Sequence, residues 1–327
     1  MAKGMIFGVK RMEIHDGDGI RTTVFFKGCP LHCQWCHNPE GIGFRPQIAW
    51  FQTKCIACAS CDGVCAAGAI HSGIIDRNKC VQCGACTYAC PVGALTLYGR
   101  EVTAAELAEE AARDLPFFEA TGGGVTLSGG ECLAQPELAI ETARLLHERG
   151  ISVCIDTCGD VDQHILERIL PYADCFLYDI KAADPQLHRQ LTGRDNQRIL
   201  ENLRYLAKAG ARIEIRYPMV VGRNDTEAGA MAALLAEINR NDGGTESKDI
   251  METVGSRDSL ESAESSGAIV KVKVLPYHDY ARSRYEALGM ECVMPDASAI
   301  PDKEQLQQAV SIFQSAGLNA VNGAEED

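Results

Sequence analysis

Thr22-Thr23-Val24-Phe25-Phe26-Lys27-Gly28-Cys29-Pro30-Leu31-His32-Cys33-Gln34-Trp35-Cys36 begins as a β-branched and aromatic run and ends in three cysteines spaced C-x3-C-x2-C. The run over 22–26 predicts a strand. Three thiolates on the loop that follows can hold three corners of a [4Fe-4S] cube. Most such clusters take four cysteines, so a cube held here leaves one iron open to another ligand. A structural zinc loop or a set of buried free thiols is the plainer alternative. Zinc sites pair two C-x2–4-C or H-x3–5-H arms, and no second arm is free once the later cysteines are assigned.

Working outward, residues 5–13 predict an earlier strand, and His15-Asp16-Gly17-Asp18-Gly19-Ile20-Arg21 is a glycine-punctuated turn between the two. Downstream lies an internal repeat. Cys55-x2-Cys58-x2-Cys61-x3-Cys65 recurs 25 residues later as Cys80-x2-Cys83-x2-Cys86-x3-Cys90. This is the two-cluster bacterial ferredoxin spacing, in which the fourth cysteine of each run ligates the other cluster. Cys55, Cys58, Cys61 and Cys90 are therefore expected to hold one cube, and Cys80, Cys83, Cys86 and Cys65 another. The first run has Ala66 where the pattern has the proline seen at Pro91.

From residue 100 onward, predicted helices (103–114, 136–149, 161–170, 198–208, 226–239, 303–316) alternate with predicted strands (125–127, 151–155, 175–180, 211–217, 269–275). That alternation implies a parallel sheet. Polar residues recur at or beyond the strand C-termini: Glu131, Asp156, Asp179, Lys181, Arg216 and His278. In α/β folds the site lies at that end, so these groups and the three-cysteine loop are expected at one mouth. For any one of them alone, a solvated loop charge is the simpler reading. Residues 241–267 are rich in Ser, Gly, Glu and Asp and read as a flexible acidic insertion.

Bulk properties narrow the class. At 327 residues the chain can hold one large domain or two modest ones. Its net charge of −14 argues against non-specific nucleic-acid binding. There is no apolar signal region and no apolar run near ~18 residues, so neither secretion nor a membrane span is expected. Sixteen cysteines in a chain this long read as metal ligands in a reducing, anaerobic cytoplasm rather than as a disulfide scaffold.

The sequence resembles the radical S-adenosylmethionine (SAM) superfamily. Within it, the similarity is to the glycyl-radical-enzyme activases of the pyruvate formate-lyase activase-like group that carry a ferredoxin insertion. The likeness rests on Cys29-x3-Cys33-x2-Cys36 with Trp35 before the last cysteine, and on the run Gly122 to Glu131. It also rests on Asp156-Thr157-Cys158-Gly159, Tyr178-Asp179-Ile180-Lys181, Arg216 and Pro276-Tyr277-His278. Asp18 stands where the family usually has a proline. The resemblance implies an α/β fold: a partial (β/α)6 TIM-type barrel over 1–46 and 98–327, with a ferredoxin-like α+β domain inserted at 47–97.

The resemblance also implies roles. Cys29, Cys33 and Cys36 would hold the SAM-binding cluster, with Trp35 beside it. Gly129, Gly130 and Glu131 would meet the methionine amino group, and Arg216 its carboxylate, a pairing suited to a planar guanidinium. Asp179 and Lys181 would lie near the ribose and His278 near the adenosine end. Asp156, Thr157 and Asp179 resemble a monovalent-cation site. The cofactors implied are three [4Fe-4S] clusters and SAM. The partners implied are a glycyl radical enzyme as protein substrate and flavodoxin or ferredoxin as electron donor, the activase acting as a monomer. A radical SAM enzyme acting on a small molecule, or a non-catalytic iron–sulfur electron carrier, is the alternative. Cys132, Cys154, Cys158, Cys175 and Cys292 read as small hydrophobes, with Cys158 nearest the expected site.

Overall fold

The computed structural model describes residues 2–241, 268–294 and 297–325. The acidic insertion expected at 241–267 lies outside the described residues, apart from Asn241. The chain opens with β1 (Lys3–Glu13) and β2 (Arg21–Phe26), paired antiparallel. Residues 47–98 then leave the main sheet. They contain β3 (Gln47–Trp50), β4 (Ile70–His71), β5 (Ile74–Ile75), helix α1 (Ala85–Ala89) and β6 (Leu95–Tyr98). β3 pairs antiparallel with β6, so the two ends of this excursion meet. β7 (Arg100–Thr103) returns to β1.

Alternation follows. Helices α2 (Ala104–Ala111) and α3 (Leu115–Thr121) lead to β8 (Gly124–Gly129), α4 (Pro136–Glu148), β9 (Ser152–Thr157) and α5 (Gln163–Ile169). Next come β10 (Cys175–Asp179), α6 (Pro185–Thr192), α7 (Gln197–Lys208), β11 (Ile213–Met219) and α8 (Ala228–Asn241). The last are β12 (Ile269–Pro276), α9 (Arg282–Leu288), α10 (Lys303–Ser315) and β13 (Ala320–Asn322). Helix α2 starts on a capping box in which Thr103 and Glu106 satisfy each other's main-chain N–H.

Among the described residues the main sheet has nine strands, ordered β13-β12-β11-β10-β9-β8-β2-β1-β7. From β2 through β8 to β13 the neighbours run parallel. This is an α/β architecture with a mostly parallel sheet, open at β13 and β7, as in a partial barrel. β1, whose orientation the sequence left open, is antiparallel to both neighbours. Residues 14–20 between β1 and β2 are enough for a hairpin, whereas a parallel crossover takes a dozen or more.

Strand parity splits the sheet into two unlike faces. Val125, Leu127, Phe176, Ile213, Ile215 and Val272 join the helices in one large apolar core. On the other face their neighbours are Thr126, Ser128, Asp156, Glu214, Arg216 and Lys273, mostly buried as well. Parallel sheets are usually apolar on both faces. A buried polar inner face is where the sequence departs from pure fold-making.

The excursion at 47–98 has its own small core of Ile48, Cys61, Ile70, Cys86 and Leu95. Its repeat is written in the main chain. Ala57 and Gln82, 25 positions apart, have φ near 53° and 59°, and Ala59 and Gly84 are likewise matched at positive φ. Ala69 N–H donates to Cys65 Sγ and Ala94 N–H to Cys90 Sγ, each at 3.2 Å.

Candidate active site

The three-cysteine loop is held from three sides. Gly28 and Cys29 N–H groups donate to Gly41 O (2.7 Å) and Ile42 O (3.1 Å). The end of β8 grips it from below: Gly130 N–H bonds Phe26 O and Glu131 N–H bonds Gly28 O, both at 2.8 Å. The C-terminal carbonyls of α6 take its far side. Thr192 O accepts from His32 N–H (2.8 Å), Leu191 O from Gln34 N–H (3.0 Å), and Gln190 O from the Gln34 amide (3.0 Å). These are the orphan carbonyls every helix end must satisfy. Arg194 and Tyr285 close the loop, donating to Pro30 O (3.2 Å) and Cys36 O (3.1 Å).

Gly129 and Gly130 are smaller than any alternative for a local reason. A Cβ on Gly129, at φ +117°, would lie 2.2 Å from Phe26 N, and one on Gly130 would lie 2.4 Å from Gly41 O. The close approach they allow is that of protein main chain. Both serve the seating of the cysteine loop.

The three thiols share one neighbourhood. Cys33 feels the charges of Cys36 and Cys29, and all three cysteines are free of disulfides. Burial pushes Cys33 well above a free thiol and Cys36 up to about 12. Buried thiols of this kind ionise on metal binding, which releases their protons. Cys158, on the loop after β9, hydrogen-bonds to Cys29, and that bond, with burial, raises its own thiol. Cys158 thus belongs beside the loop rather than among the plain hydrophobes.

The strand ends supply the surrounding charges. Glu131 is 1% exposed. Its Oε1 accepts from Thr157 Oγ1 (2.9 Å) and Leu133 N–H (3.0 Å), and its Oε2 from Cys158 N–H (2.8 Å). Burial raises its carboxyl against those bonds. Glu131 therefore ties the end of β8 to the loop after β9 and keeps acceptor capacity at Oε2. Lys181 Nζ donates to Asp179 Oδ2 at 2.8 Å. Burial opposes the ammonium charge, but Asp179 and Cys33 outweigh it and hold it firmly protonated. Arg216 reaches Asp16 Oδ1 (3.3 Å), His15 O (3.0 Å) and Asp156 Oδ2 (3.5 Å). Its Nε is buried without a hydrogen-bond partner.

An aromatic stack stands beside the loop. The His37 and His278 rings are 3.9 Å apart at 14°, and Tyr280 lies 4.4 Å beyond His278. Desolvation pushes His37 down to about 4 and also lowers His278, so both rings are neutral near pH 7. His37 Nε2 and His278 Nδ1 are buried without partners. Buried orphan polar atoms are costly, and the orphan atoms of Arg216, His37 and His278 suit a ligand with a planar base and a carboxylate. His37 escaped sequence reading, although its place next to Cys36 was a usable signal. Trp35 is 5% exposed and packs with Leu191, Val220, Tyr277 and Met294. Its ring anchors the loop in an apolar cluster.

Asp156 accepts from Ser128 Oγ at 2.5 Å. Burial pushes its carboxyl up to about 7, with Arg216 pulling the other way. A sixth of the side chain is still exposed (16%). The sign of the effect follows from proton counting. Between a free carboxyl's range near 3.9 and about 7, the folded form keeps a proton that the unfolded chain has lost. Stability is therefore expected to fall as pH rises through that window, by at most ~1.4 kcal/mol per unit, and to level off above it. Asp156→Asn should flatten the slope in anaerobic denaturant titrations across the window. An unchanged slope would assign the dependence to other groups.

The repeat cysteines gather in two sets. One cavity is lined by Cys55, Cys58, Cys61 and Cys90, with Trp50 and Leu95. A second, of about 130 Å³, is lined by Cys65, Cys80, Cys83 and Cys86, with Ile48 and Ile75. Each set draws its fourth cysteine from the other run. Among the described residues no three His, Cys, Asp or Glu side chains are disposed to hold a single metal ion. A lone zinc, with sulfurs ~2.3 Å from one point, does not match fours that ring a cavity. The donor chemistry fits a cluster.

Comparison with known proteins adds the family. The radical SAM superfamily model matches residues 77–235, a stretch that starts three residues before the second cysteine run. The chain is 36% identical over 324 residues to the trans-4-hydroxy-L-proline dehydratase activating enzyme of Clostridioides difficile, covering 98% of this chain and 99% of that one. It is 35% identical to the choline trimethylamine-lyase activating enzyme of Oleidesulfovibrio alaskensis, over 92% of each. The benzylsuccinate synthase activating enzyme of Thauera aromatica is 39% identical over 68% of this chain and 71% of its own length. With the first two of these relatives matching 92% or more of its length, the chain belongs to the radical SAM superfamily, among the activating enzymes of glycyl radical enzymes.

Proposed function

We propose that Cys29, Cys33 and Cys36 hold the [4Fe-4S] cluster at which this activase binds SAM. We also propose that residues 47–97 form a ferredoxin-like insertion between barrel segments 1–46 and 98–327. In it, Cys55, Cys58, Cys61 and Cys90 hold a second cluster, and Cys80, Cys83, Cys86 and Cys65 a third. The observation that carries this reading is the pair of cavities, each lined by four cysteines in the crossed combination.

When bound, the cluster supplies one electron to SAM, giving methionine and a 5′-deoxyadenosyl radical that takes a hydrogen atom from the α-carbon of a glycine in the partner enzyme. The protein's own work is placement. Arg216, whose Nε has no hydrogen bond and only Glu214 Oε1 at 3.9 Å, is positioned for the methionine carboxylate, and the free capacity of Glu131 Oε2 for the amino group. The stacked His37 and His278 offer their orphan nitrogens to the adenine end. Asp179 and Lys181 sit where the ribose would lie, Lys181 also placing a positive charge opposite Cys33. The monovalent-cation reading has less support, since Asp156, Thr157 and Asp179 each already hold a protein partner. A flavodoxin or ferredoxin is proposed as electron donor, in the reducing cytoplasm that thiolate clusters need. Among the described residues no helix is long and apolar enough to cross a membrane.

Anaerobic reconstitution is expected to load about twelve irons per chain, three cubes of four, and to yield 5′-deoxyadenosine from SAM under reductant. About four irons with intact SAM cleavage would overturn the two-cluster assignment.

A further inference from the structure

One short helix, α9, ties the cysteine excursion to the barrel near the three-cysteine loop. Arg77, three residues before Cys80, donates from Nη1 to Ile48 O and from Nη2 to Ala287 O on α9 (2.9 Å). Ile48 also lines the cavity of Cys65, Cys80, Cys83 and Cys86. Ala287 and Leu288 pack on Ala49, whose strand β3 carries Ile48. Two residues before Ala287, Tyr285 donates its hydroxyl to Cys36 O (3.1 Å), and its ring lies close enough to feel the charges of Cys36 and Cys33. Arg284 adds bonds to Asn38 and Glu40 just beyond the loop. Helix α9 is thus joined through Arg77 to Ile48, in the wall of the third-cluster cavity, and through Tyr285 to the SAM-site loop.

We propose that α9, clamped by Arg77 and Tyr285, is the bridge that couples the Cys65/Cys80/Cys83/Cys86 cluster to the Cys29/Cys33/Cys36 cluster. The proposal rests on the three-cluster reading and decides the order within it. One electron leaves the reduced Cys80-side cluster, oxidising it, and enters the SAM-site cluster, reducing it. A low-potential one-electron donor then restores the first. Hydrogen bonds and the packed helix supply the contiguous contact, and Arg77 supplies both a clamp and a positive charge beside Cys80. Both are positioning residues, since neither touches SAM.

The test uses the full chain, reconstituted anaerobically and reduced with dithionite, and reads electron paramagnetic resonance. Power saturation of the SAM-site signal should report a fast-relaxing neighbour. Cys83→Ser should slow that relaxation, while Cys58→Ser changes it much less. In freeze-quench reduction, Arg77→Met and Tyr285→Phe should each slow arrival of the electron at the SAM-site cluster about tenfold, the loss expected when a docking hydrogen bond is removed. Arg77→Lys should restore part of the rate, and Arg77→Met should lower the potential of the Cys80-side cluster. Tyr285→Phe lies outside all three cysteine sets, so its iron content should stay intact and its rate remain readable. About four irons in the wild type would fail the three-cluster reading. About twelve irons with relaxation lost in Cys58→Ser but kept in Cys83→Ser, or unchanged rates in both Arg77→Met and Tyr285→Phe, would overturn the bridge itself.

Discussion

Replacing Cys29 by alanine is expected to bring 5′-deoxyadenosine formation to background while leaving about eight of about twelve irons in place. The loop keeps its seat in this variant, because its main-chain bonds to Gly41, Ile42, Glu131 and the end of α6 do not use the thiol. What is lost is one of three protein ligands to a cluster that already has an open iron, and a cube with two ligands is not held. Cys158 stands at hydrogen-bonding distance from the missing sulfur, so the double variant with Cys158→Ala excludes a substitute ligand. The measurements are iron content and quantified 5′-deoxyadenosine under dithionite. Cleavage persisting in the double variant would remove the loop from the chemistry.

Gly130→Ala should be nearly as severe without touching a ligand. The new methyl carbon would stand 2.4 Å from Gly41 O and 2.6 Å from Gly28 O, both main-chain atoms with little room to move. Overpacking of this kind costs about 1–3 kcal/mol where neighbours can yield. Here yielding means lifting the cysteine loop off β8 and stretching the two bonds that join them. The expected outcome is loss of about four irons, those of the SAM site, with a fall in denaturant midpoint and the other two cavities still loaded. Full iron content and unchanged SAM cleavage would show that the loop tolerates displacement.

Much of this fold was legible because local signals agreed with it. The capping box at Thr103, the stop at Gly150 and the alternating strands from residue 124 each appear in the sequence and again in the structure. The cysteine repeat was legible for the same reason, since spacing and main-chain conformation recur together. Helix α6 was missed even though Asp184 and Pro185 form a good start signal. Its eight residues are too few for a periodic apolar face. Helix α9, shorter still, owes its place to Ala49, Arg77 and Cys36, all far away in sequence. β13, three residues long, depends on pairing with β12 rather than on its own pattern.

The site followed the same division. Residue types that carry chemistry, such as Glu131, Lys181 and Arg216, could be picked out one by one. Their mutual arrangement could not, because Arg216 meets Asp16 across two hundred residues of chain. The Thr157–Glu131–Cys158 network and the His37–His278 stack likewise exist only once separate strand ends are side by side.

The seating of the three-cysteine loop bears on the order in which the newly made protein acquires its iron. Residues 28–34 are not fixed until β8 has formed beneath them and Leu191 and Thr192 have arrived from α6. The eight repeat cysteines lie within residues 55–90, and β3 and β6 close that stretch by pairing with each other, α9 adding its packing on β3 only later. Local contacts form early and distant ones late. Iron delivery is therefore expected in two stages, the repeat being fillable while the rest of the chain is still being synthesised. The site of chemistry fills only after more than half of the protein exists, so no reactive centre is present until the structure that encloses it has been built.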